Sequence, residues 1–254
     1  MRARILGCGT SSGVPRIGND WGACDPAEPR NRRRRASILV ETATTRILVD
    51  TGPDLREQLL DADVADVDAV IWTHDHADHC HGIDDLRQLF HARGEPVAAY
   101  ARPWTLHALR SRFVYAFEGK DGYPPIVAGR DLPDSFSIGD IAVSCADQPH
   151  GSITSVGLRF EGDGCSIGYA TDFNAMTDAM EHIYRDLDIW VVDALRRRPH
   201  PTHPHLAQTL EWIERFGTKR AALTHMDQSM DYAELAAELP ANVVPGHDGL
   251  VLGA

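Results

Sequence analysis

The sequence lacks the features that mark secreted, disulfide-bonded and membrane-spanning proteins. Its 254 residues include only five cysteines, an odd number without a Cys-x-x-Cys pair, so we expect reduced cysteines rather than a disulfide framework. No segment is apolar for long enough to cross a bilayer, and residues 1–6 lack the apolar stretch of a signal peptide. These absences predict a cytoplasmic protein that makes no membrane contact.

Positive charge is also scarce, because 25 lysines and arginines face 37 aspartates and glutamates and leave a net charge of −12. An acidic surface repels phosphate polymers, which argues against a long nucleic acid as partner. Four consecutive arginines at 32–35 are the exception, and they serve either as phosphate contacts or as a solvated face. The hydrophobic share of 43% suffices for a large core, and we predict one domain over 1–254.

The thirteen histidines are clustered, with four between 74 and 81 and four between 200 and 225. His74 and His76 follow a buried-strand pattern. Side chains two apart in an extended chain point the same way, so both imidazoles can reach one metal ion. Asp78 and His79 come next and can serve a second ion beside the first. Imidazole and carboxylate donors suit manganese, zinc or iron, so the run predicts two divalent metal ions.

The hydrophobic pattern predicts strands followed by helices, roughly twice over, which is typical of two sheets packed on each other with helices outside. In the first half we predict a hairpin of strands 37–41 and 46–50, helix 54–61, strand 68–72, helix 84–92, strand 96–100 and helix 103–117. In the second half we predict strands 136–138, 141–145, 155–160, 165–169 and 189–192, helix 204–216, strand 221–224, helix 232–238 and a last strand at 243–244 or 251–252.

The run His-x-His-x-Asp-His at 74–79, preceded by Asp-Thr-Gly at 50–52, resembles the metallo-β-lactamase superfamily. The resemblance implies an α/β fold, the αββα sandwich, in which two mixed sheets pack face to face with helices outside. It also implies three further metal ligands at strand ends, which this chain offers in order as His150, Asp172 and His225.

The resemblance divides these ligands between two ions. His74, His76 and His150 would hold one ion, Asp78, His79 and His225 the other, and Asp172 would bridge both. Asp50 would then accept a proton from one of the ligand histidines, as an outer partner that orients the imidazole.

Four further segments resemble the phosphodiesterase branch of the superfamily, and the PhnP type in particular. They are Gly-Cys-Gly-Thr-Ser-Ser-Gly at 7–13, the arginine run, Pro-His-Pro-Thr-His at 199–203 and Pro-Gly-His-Asp-Gly at 245–249. The resemblance implies hydrolysis of small phosphodiesters, such as phosphoribosyl cyclic phosphate, by attack of a metal-bridging hydroxide. Asp78, Asp172 and His203 would be catalytic, with His203 touching the substrate as proton donor and His200 and His205 as its alternatives.

Three other functions fit parts of the pattern. A tRNase Z-like endonuclease shares the ligands, but the acidic charge disfavours it. A glyoxalase-II-like thioesterase also shares them, although the segment at 7–13 and the His203 loop favour phosphoesters. A non-catalytic metal-binding protein would not need a proton donor. The apolar side of 105–117 is either a homodimer surface or part of the core.

Overall fold

A computed structural model of the protein describes residues 1–253 and contains two sheets of seven strands within that range. Each half of the chain builds one sheet, except that the last strand returns to the first. The strands are β1 (Arg2–Gly7), β2 (Ser37–Glu41), β3 (Arg46–Val49), β4 (Ala69–Ile71), β5 (Val97–Ala101), β6 (Val127–Asp131), β7 (Ser135–Ile138), β8 (Ile141–His150), β9 (Ile153–Gly162), β10 (Cys165–Ala170), β11 (Ile189–Asp193), β12 (Arg220–Thr224), β13 (Val243–Pro245) and β14 (Val251–Gly253).

The two sheets have matching layouts. The first has the order β14-β1-β2-β3-β4-β5-β6 and the second β13-β12-β11-β10-β9-β8-β7. In the first sheet β3 to β6 run parallel, and in the second β10 to β13 do; the remaining pairs are antiparallel. The predicted αββα sandwich of two mixed sheets is confirmed.

Helices cover the outer face of each sheet. Leu55 and Leu59 pack with Leu48 and Val70 in a core beneath the helices of the first sheet, and the larger core lies between the sheets and under the helices of the second. The helices are α1 (Leu55–Asp61), α2 (Ala77–Cys80), α3 (Leu86–Arg93), α4 (Pro103–Arg112), α5 (Val114–Glu118), α6 (Asp178–Tyr184), α7 (Leu206–Arg215) and α8 (Tyr232–Glu238).

Several predicted boundaries were wrong. The helix predicted over 103–117 is two helices, because Phe113 leaves the helical conformation (φ −120°, ψ 45°) between α4 and α5 within an aromatic and β-branched stretch of low helix propensity. The helix predicted over 84–92 begins as a 3-10 turn at Ile83–Asp85. Strand β8 continues beyond the predicted end at 145 to His150, which is its last residue. Both alternatives for the last strand exist, as β13 and β14.

The buried side of α4 belongs to the core. Leu106 and Leu109 pack in the cluster beneath the helices of the first sheet. This placement favours the core alternative for the apolar side of 105–117, and a homodimer stays a prediction without an assigned surface. Among the described residues no helix combines the length and the apolar character that a membrane span requires.

Candidate metal centre

Most of the candidate ligands lie where parallel strands end. Asp172 follows β10, and His225 follows β12 directly. His150 closes β8, which runs in the same direction as β10 because both strands pair antiparallel with β9. Asp50 follows β3, and the run from His74 follows β4. Because parallel strands place their carboxyl ends at the same edge of a sheet, these side chains meet at one rim of the sandwich.

Three of these residues have left-handed backbone conformations. The φ angles are 65° at Asp50, 57° at Asp172 and 56° at His225. Residues with a Cβ adopt this conformation rarely, and Asp and Asn do so more readily than most. Such strain tends to collect at functional sites, where the surrounding structure holds the backbone in place. At each of these three positions the backbone turns sharply after its strand, and the turn directs the residue's side chain toward the rim of the sandwich.

Two glycines let the histidine run approach the end of β3. The Thr51 amide donates to the His79 carbonyl (2.8 Å), and the Gly82 amide donates to the Thr51 carbonyl (2.8 Å). A Cβ on Gly52 would clash with the Asp78 carbonyl oxygen, and one on Gly82 would clash with the Gly52 carbonyl oxygen. Glycine at both positions therefore permits the contact that holds α2 against the sheet end.

The donor atoms form adjoining groups, and within each group the candidate ligand atoms lie within 4.8 Å of one another. One group is His74, His76, His150 and Asp172, and a second is Asp78, His79 and His225. Apart from Asp172, the two groups separate the same residues as the family resemblance does, and the number of ions stays a prediction. A third group consists of Asp172, His203 and His225.

The Asp172 carboxylate lies between the first two groups. Its Oδ1 is 3.5 Å from His150 Nε2 and 3.9 Å from His74 Nε2. Its Oδ2 is 3.1 Å from His79 Nε2 and 3.4 Å from His225 Nε2. One oxygen faces each group, which is the arrangement a bridging ligand needs.

The far nitrogens of three histidines have partners that orient the rings. His79 Nδ1 lies 2.7 Å from Asp50 Oδ2, and His150 Nδ1 donates to the Thr202 carbonyl (2.9 Å). His74 Nδ1 lies 3.0 Å from the Thr73 hydroxyl, which itself donates to Asp50 (2.8 Å). Such outer contacts fix ring orientation and leave Nε2 free to bind.

The electrostatics of the cluster indicate a shortage of positive charge. Burial opposes protonation of His79 and His225, but neighbouring carboxylates, Asp172 above all, raise the pKa of His79 well above its ordinary value and that of His225 to about 9. Burial also opposes ionisation of Asp172, yet the histidines around it hold its pKa well below the usual range. The carboxylates are thus stabilised by protons on the histidines, a task that cations also perform.

The unpartnered atoms fit a metal ion directly. The Nε2 atoms of three histidines are buried and have no hydrogen-bond partner among the described residues, namely those of His74, His79 and His225. An orphaned buried polar atom is costly, and a cation among these three atoms and the Asp172 carboxylate would satisfy them. Imidazole and carboxylate donors of this number suit a divalent ion, so the cluster fits metal binding.

His203 reaches the same cluster from the loop before α7. Its Nε2 lies 3.8 Å from Asp172 Oδ1, and its Nδ1 lies 2.9 Å from Asp193 Oδ2. His200 packs its ring against that of His203 (centroids 5.2 Å apart), and His205 precedes the first residue of α7. Of the three predicted candidates, only His203 belongs to a metal-capable group.

Asp193 is a site residue that the sequence reasoning missed. It is fully buried at the end of β11, and its Oδ2 also accepts from the Asp172 amide (2.9 Å). The same oxygen therefore contacts the strained backbone of Asp172 and the ring of His203. Its position at a parallel strand end, between β10 and β12, is the signal that could have identified it.

Two cavities open beside the cluster. One of about 290 Å³ is lined by His76, His150 and His203 among others, and a second of about 590 Å³ is lined by Arg16, Arg35 and His81. They share the lining residues Ser11 and Asp78 and therefore adjoin, and the two cavities together are called the groove.

The arginine run divides into different environments. Arg33 is only 2% exposed and donates to the Asp227 and Met230 carbonyls, so it is neither a phosphate contact nor part of a solvated face. Arg35 lies 3.0 Å from Asp54 and lines the groove. Arg34 pairs with Asp61 (2.6 Å), and Arg32 is exposed.

Comparison with known proteins identifies the family. Residues 45–226 match the model of the β-lactamase superfamily domain, and the chain belongs to that superfamily. With the donor cluster and the sandwich, this makes the protein a metal-dependent hydrolase. The structure of a new diphosphatase from the PhnP family is 36% identical, with a TM-score of 0.90 over 99% of this chain and 97% of that one. The protein is thus a hydrolase of the PhnP type, as the sequence segments predicted.

Two other relatives widen the comparison. An octanoyltransferase of Porphyromonas gingivalis is 32% identical over 259 residues, which cover 98% of this chain and 51% of that protein. The chain spans about half the length of the curated relatives it matches. Zinc-bound PqqB from Methylobacterium extorquens shares the fold, with a TM-score of 0.80 at 18% identity over the full length of both chains.

Proposed function

We propose that the protein hydrolyses small phosphodiesters, cyclic ribose phosphates among them, at a centre of two divalent metal ions, manganese or zinc. His74, His76 and His150 would hold one ion and Asp78, His79 and His225 the other, with Asp172 between them. Asp50 would orient His79. The bound ions would supply an activated water at neutral pH and charge stabilisation for the phosphoryl oxygens.

The observation that carries the proposal is the pair of His203 and Asp193 beside the bridging carboxylate. A buried aspartate oxygen 2.9 Å from Nδ1 fixes the orientation of the ring, and His203 lines the groove. Nε2 of a protonated His203 could therefore give its proton to a departing oxygen. Proton donation of this kind typically contributes about 10²–10⁴-fold to the rate.

The pair also bears on the bond that is cleaved. An alkoxide such as a ribose oxygen is a strongly basic leaving group and needs a proton as it departs. A thiolate is weakly basic and leaves without one. A dedicated proton donor therefore supports an oxygen ester over a thioester, which disfavours the thioesterase reading.

The groove bears on the size of the substrate. The part beside His203 has a volume of about 290 Å³ and the adjoining part about 590 Å³, within the range of small-molecule sites. Arg16 and Arg35 line the adjoining part, although Asp20 and Asp54 pair with them. A small anionic substrate fits this groove, and the net charge of −12 argues against a transfer-RNA endonuclease.

Two specific observations favour second candidates. The similar diphosphatase from the PhnP family suggests a phosphoric anhydride as substrate. The match to half of an octanoyltransferase suggests an acyl thioester. Both candidates have weakly basic leaving groups, so neither explains the His203–Asp193 pair as well as a phosphodiester does.

The test is a substrate panel on protein loaded with manganese or zinc. Bis-p-nitrophenyl phosphate, a ribose cyclic phosphate, a diphosphate diester and an acyl thioester are compared for wild type and Asp172→Ala. The matched control is Asp131→Ala, which removes an exposed carboxylate at the end of β6. Metal content is measured for each protein.

We expect the ribose cyclic phosphate to be the best substrate in kcat/KM. Asp172→Ala should lose at least 10³-fold in turnover together with part of its metal, and Asp131→Ala should change neither. A wild type with two bound ions that cleaves only the thioester or only the diphosphate would overturn the phosphodiester assignment.

A further inference from the structure

A separate cavity lined by several charged side chains lies on the outer face of the first sheet, away from the metal centre. Its volume is about 230 Å³, and it shares no lining residue with the groove. The loop that carries the arginine run, the start of the chain and α1 enclose it. The side chains that decide its chemistry are Arg4, Arg32, Arg34, Gln58, Asp61 and Asp248.

Strand β1 places Arg4 in this cavity. Ala3 and Ile5 are fully buried in the core between the sheets. Side chains alternate along a strand, so Arg4 and Leu6 project to the opposite face, where Leu6 packs beneath the helices of the first sheet. The guanidinium of Arg4 is therefore held at the outer face by a strand that is anchored on its other side.

Two arginines of the cavity have no counterion. Arg34 pairs with Asp61 (2.6 Å), and Asp248 accepts from the amides of Cys8 and Arg34. Within residues 1–253 neither Arg4 nor Arg32 has a side-chain hydrogen bond or an ion pair, and Arg4 Nε is buried without a partner. Arg4 Nε is thus a buried donor without a partner, and Arg32, which is exposed and lies over the Trp21 ring, has no counterion. An anion in the cavity would satisfy both arginines.

We propose that this cavity is a binding site for a small phosphate, either inorganic phosphate or a compact phosphate monoester, held by Arg4, Arg32 and Arg34. The planar guanidinium group binds phosphate oxygens with paired N–H donors, which makes arginine the favoured residue for such anions. The volume is below the roughly 300–1,000 Å³ of sites for drug-sized ligands, so a nucleotide is too large.

Gln58 and Asp248 favour phosphate over sulfate. Gln58 Nε2 donates to the Arg35 carbonyl, while Gln58 Oε1 is buried without a partner and needs a donor. A phosphate that keeps one proton offers an O–H, and sulfate at neutral pH does not. Burial raises the pKa of Asp248 to about 7, so near neutral pH its carboxyl repels an anion less than an ordinary aspartate would.

The test is calorimetric titration of inorganic phosphate into the metal-loaded protein, because the metal centre also attracts phosphate and the two sites must be counted separately. Wild type is compared with Arg32→Gln and Arg4→Gln. The control Arg56→Gln removes the same charge from α1 at a side chain outside the cavity lining. Circular dichroism checks the folding of each variant, and turnover of bis-p-nitrophenyl phosphate is measured in parallel.

We expect two classes of phosphate sites in wild type and in Arg56→Gln. In Arg32→Gln one class should weaken at least tenfold, the loss typical of a charged hydrogen bond, while turnover stays within twofold. Arg32 is exposed, so this variant should fold even if Arg4→Gln does not. Sulfate should compete poorly for the same class.

Phosphate binding that Arg32→Gln leaves unchanged in every class, or equal competition by sulfate for the class that Arg32→Gln weakens, would overturn the proposal. The readout is binding heat, so it stands whether or not the protein proves to be a phosphodiesterase.

Discussion

Replacement of His203 by Gln tests the proton donor with the least disturbance of the structure. The glutamine amide can still donate to Asp193 Oδ2, which in the wild type lies 2.9 Å from His203 Nδ1. His203 is not one of the seven proposed metal ligands, so both ions should remain. The change therefore removes the transferable proton and leaves most contacts of the loop before α7 in place.

The magnitude depends on the leaving group. For a ribose oxygen, which departs as a basic alkoxide, the loss of general acid catalysis should cost about 10²–10⁴ in turnover, or roughly 2.7–5.5 kcal/mol in the barrier. For p-nitrophenolate, which is a much weaker base, the loss should be about tenfold. The ratio of the two losses is the signature, because a structural defect would lower both turnovers equally.

The assay follows kcat and KM for a ribose cyclic phosphate and bis-p-nitrophenyl phosphate under equal metal loading. His200→Gln is the matched control, since its ring packs on His203 but belongs to no donor group, and it should change turnover less than threefold. Asp193→Asn should show the same leaving-group dependence as His203→Gln in weaker form. Equal losses on both substrates in His203→Gln would refute the role of His203 as proton donor.

Two further predictions concern stability. Removing the metal ions with a chelator should lower Tm by about 10 °C in calorimetry, because ions at 1,000 times their Kd stabilise the folded protein by about 4 kcal/mol. Without the ions, Nε2 of His74, His79 and His225 would be left without partners. An unchanged Tm would contradict tight binding. The second prediction concerns Asp248, whose pKa is raised from 3.8 to about 7 because the folded state holds its proton more tightly than the unfolded chain does. In metal-free, phosphate-free buffer, the free energy of unfolding of wild type should therefore fall by up to roughly 4 kcal/mol relative to Asp248→Asn as pH rises from 4 to 8. Equal pH profiles of the two proteins in urea unfolding would contradict this prediction.

The elements that could be predicted have strong patterns. The hairpin of β2 and β3 consists of fully buried aliphatic runs around a polar turn, and α8 was predicted with its observed bounds. Two of the missed elements, β6 and α2, have weak patterns. Strand β6 reads Val-Ala-Gly-Arg-Asp and is half exposed, and α2 is only four residues long, so neither shows a period. Strand β6 is stabilised by pairing with β5, and α2 by contacts with the end of β3. Both partners are distant in sequence, so a short stretch of sequence does not show them.

The same contrast separates the visible from the hidden part of the site. His74, His76, Asp78 and His79 stand in one segment of six residues, so their spacing alone indicates metal binding. Asp193 stands alone after four apolar residues, and locally it reads as an aspartate that ends a strand. Its significance comes from a contact with His203, ten residues later, and from a contact with the Asp172 amide, which the parallel pairing of β10 and β11 brings close. A residue that acts by orienting others can therefore be identified only once the order of the strands in the sheet is known, and the sequence pattern does not give that order.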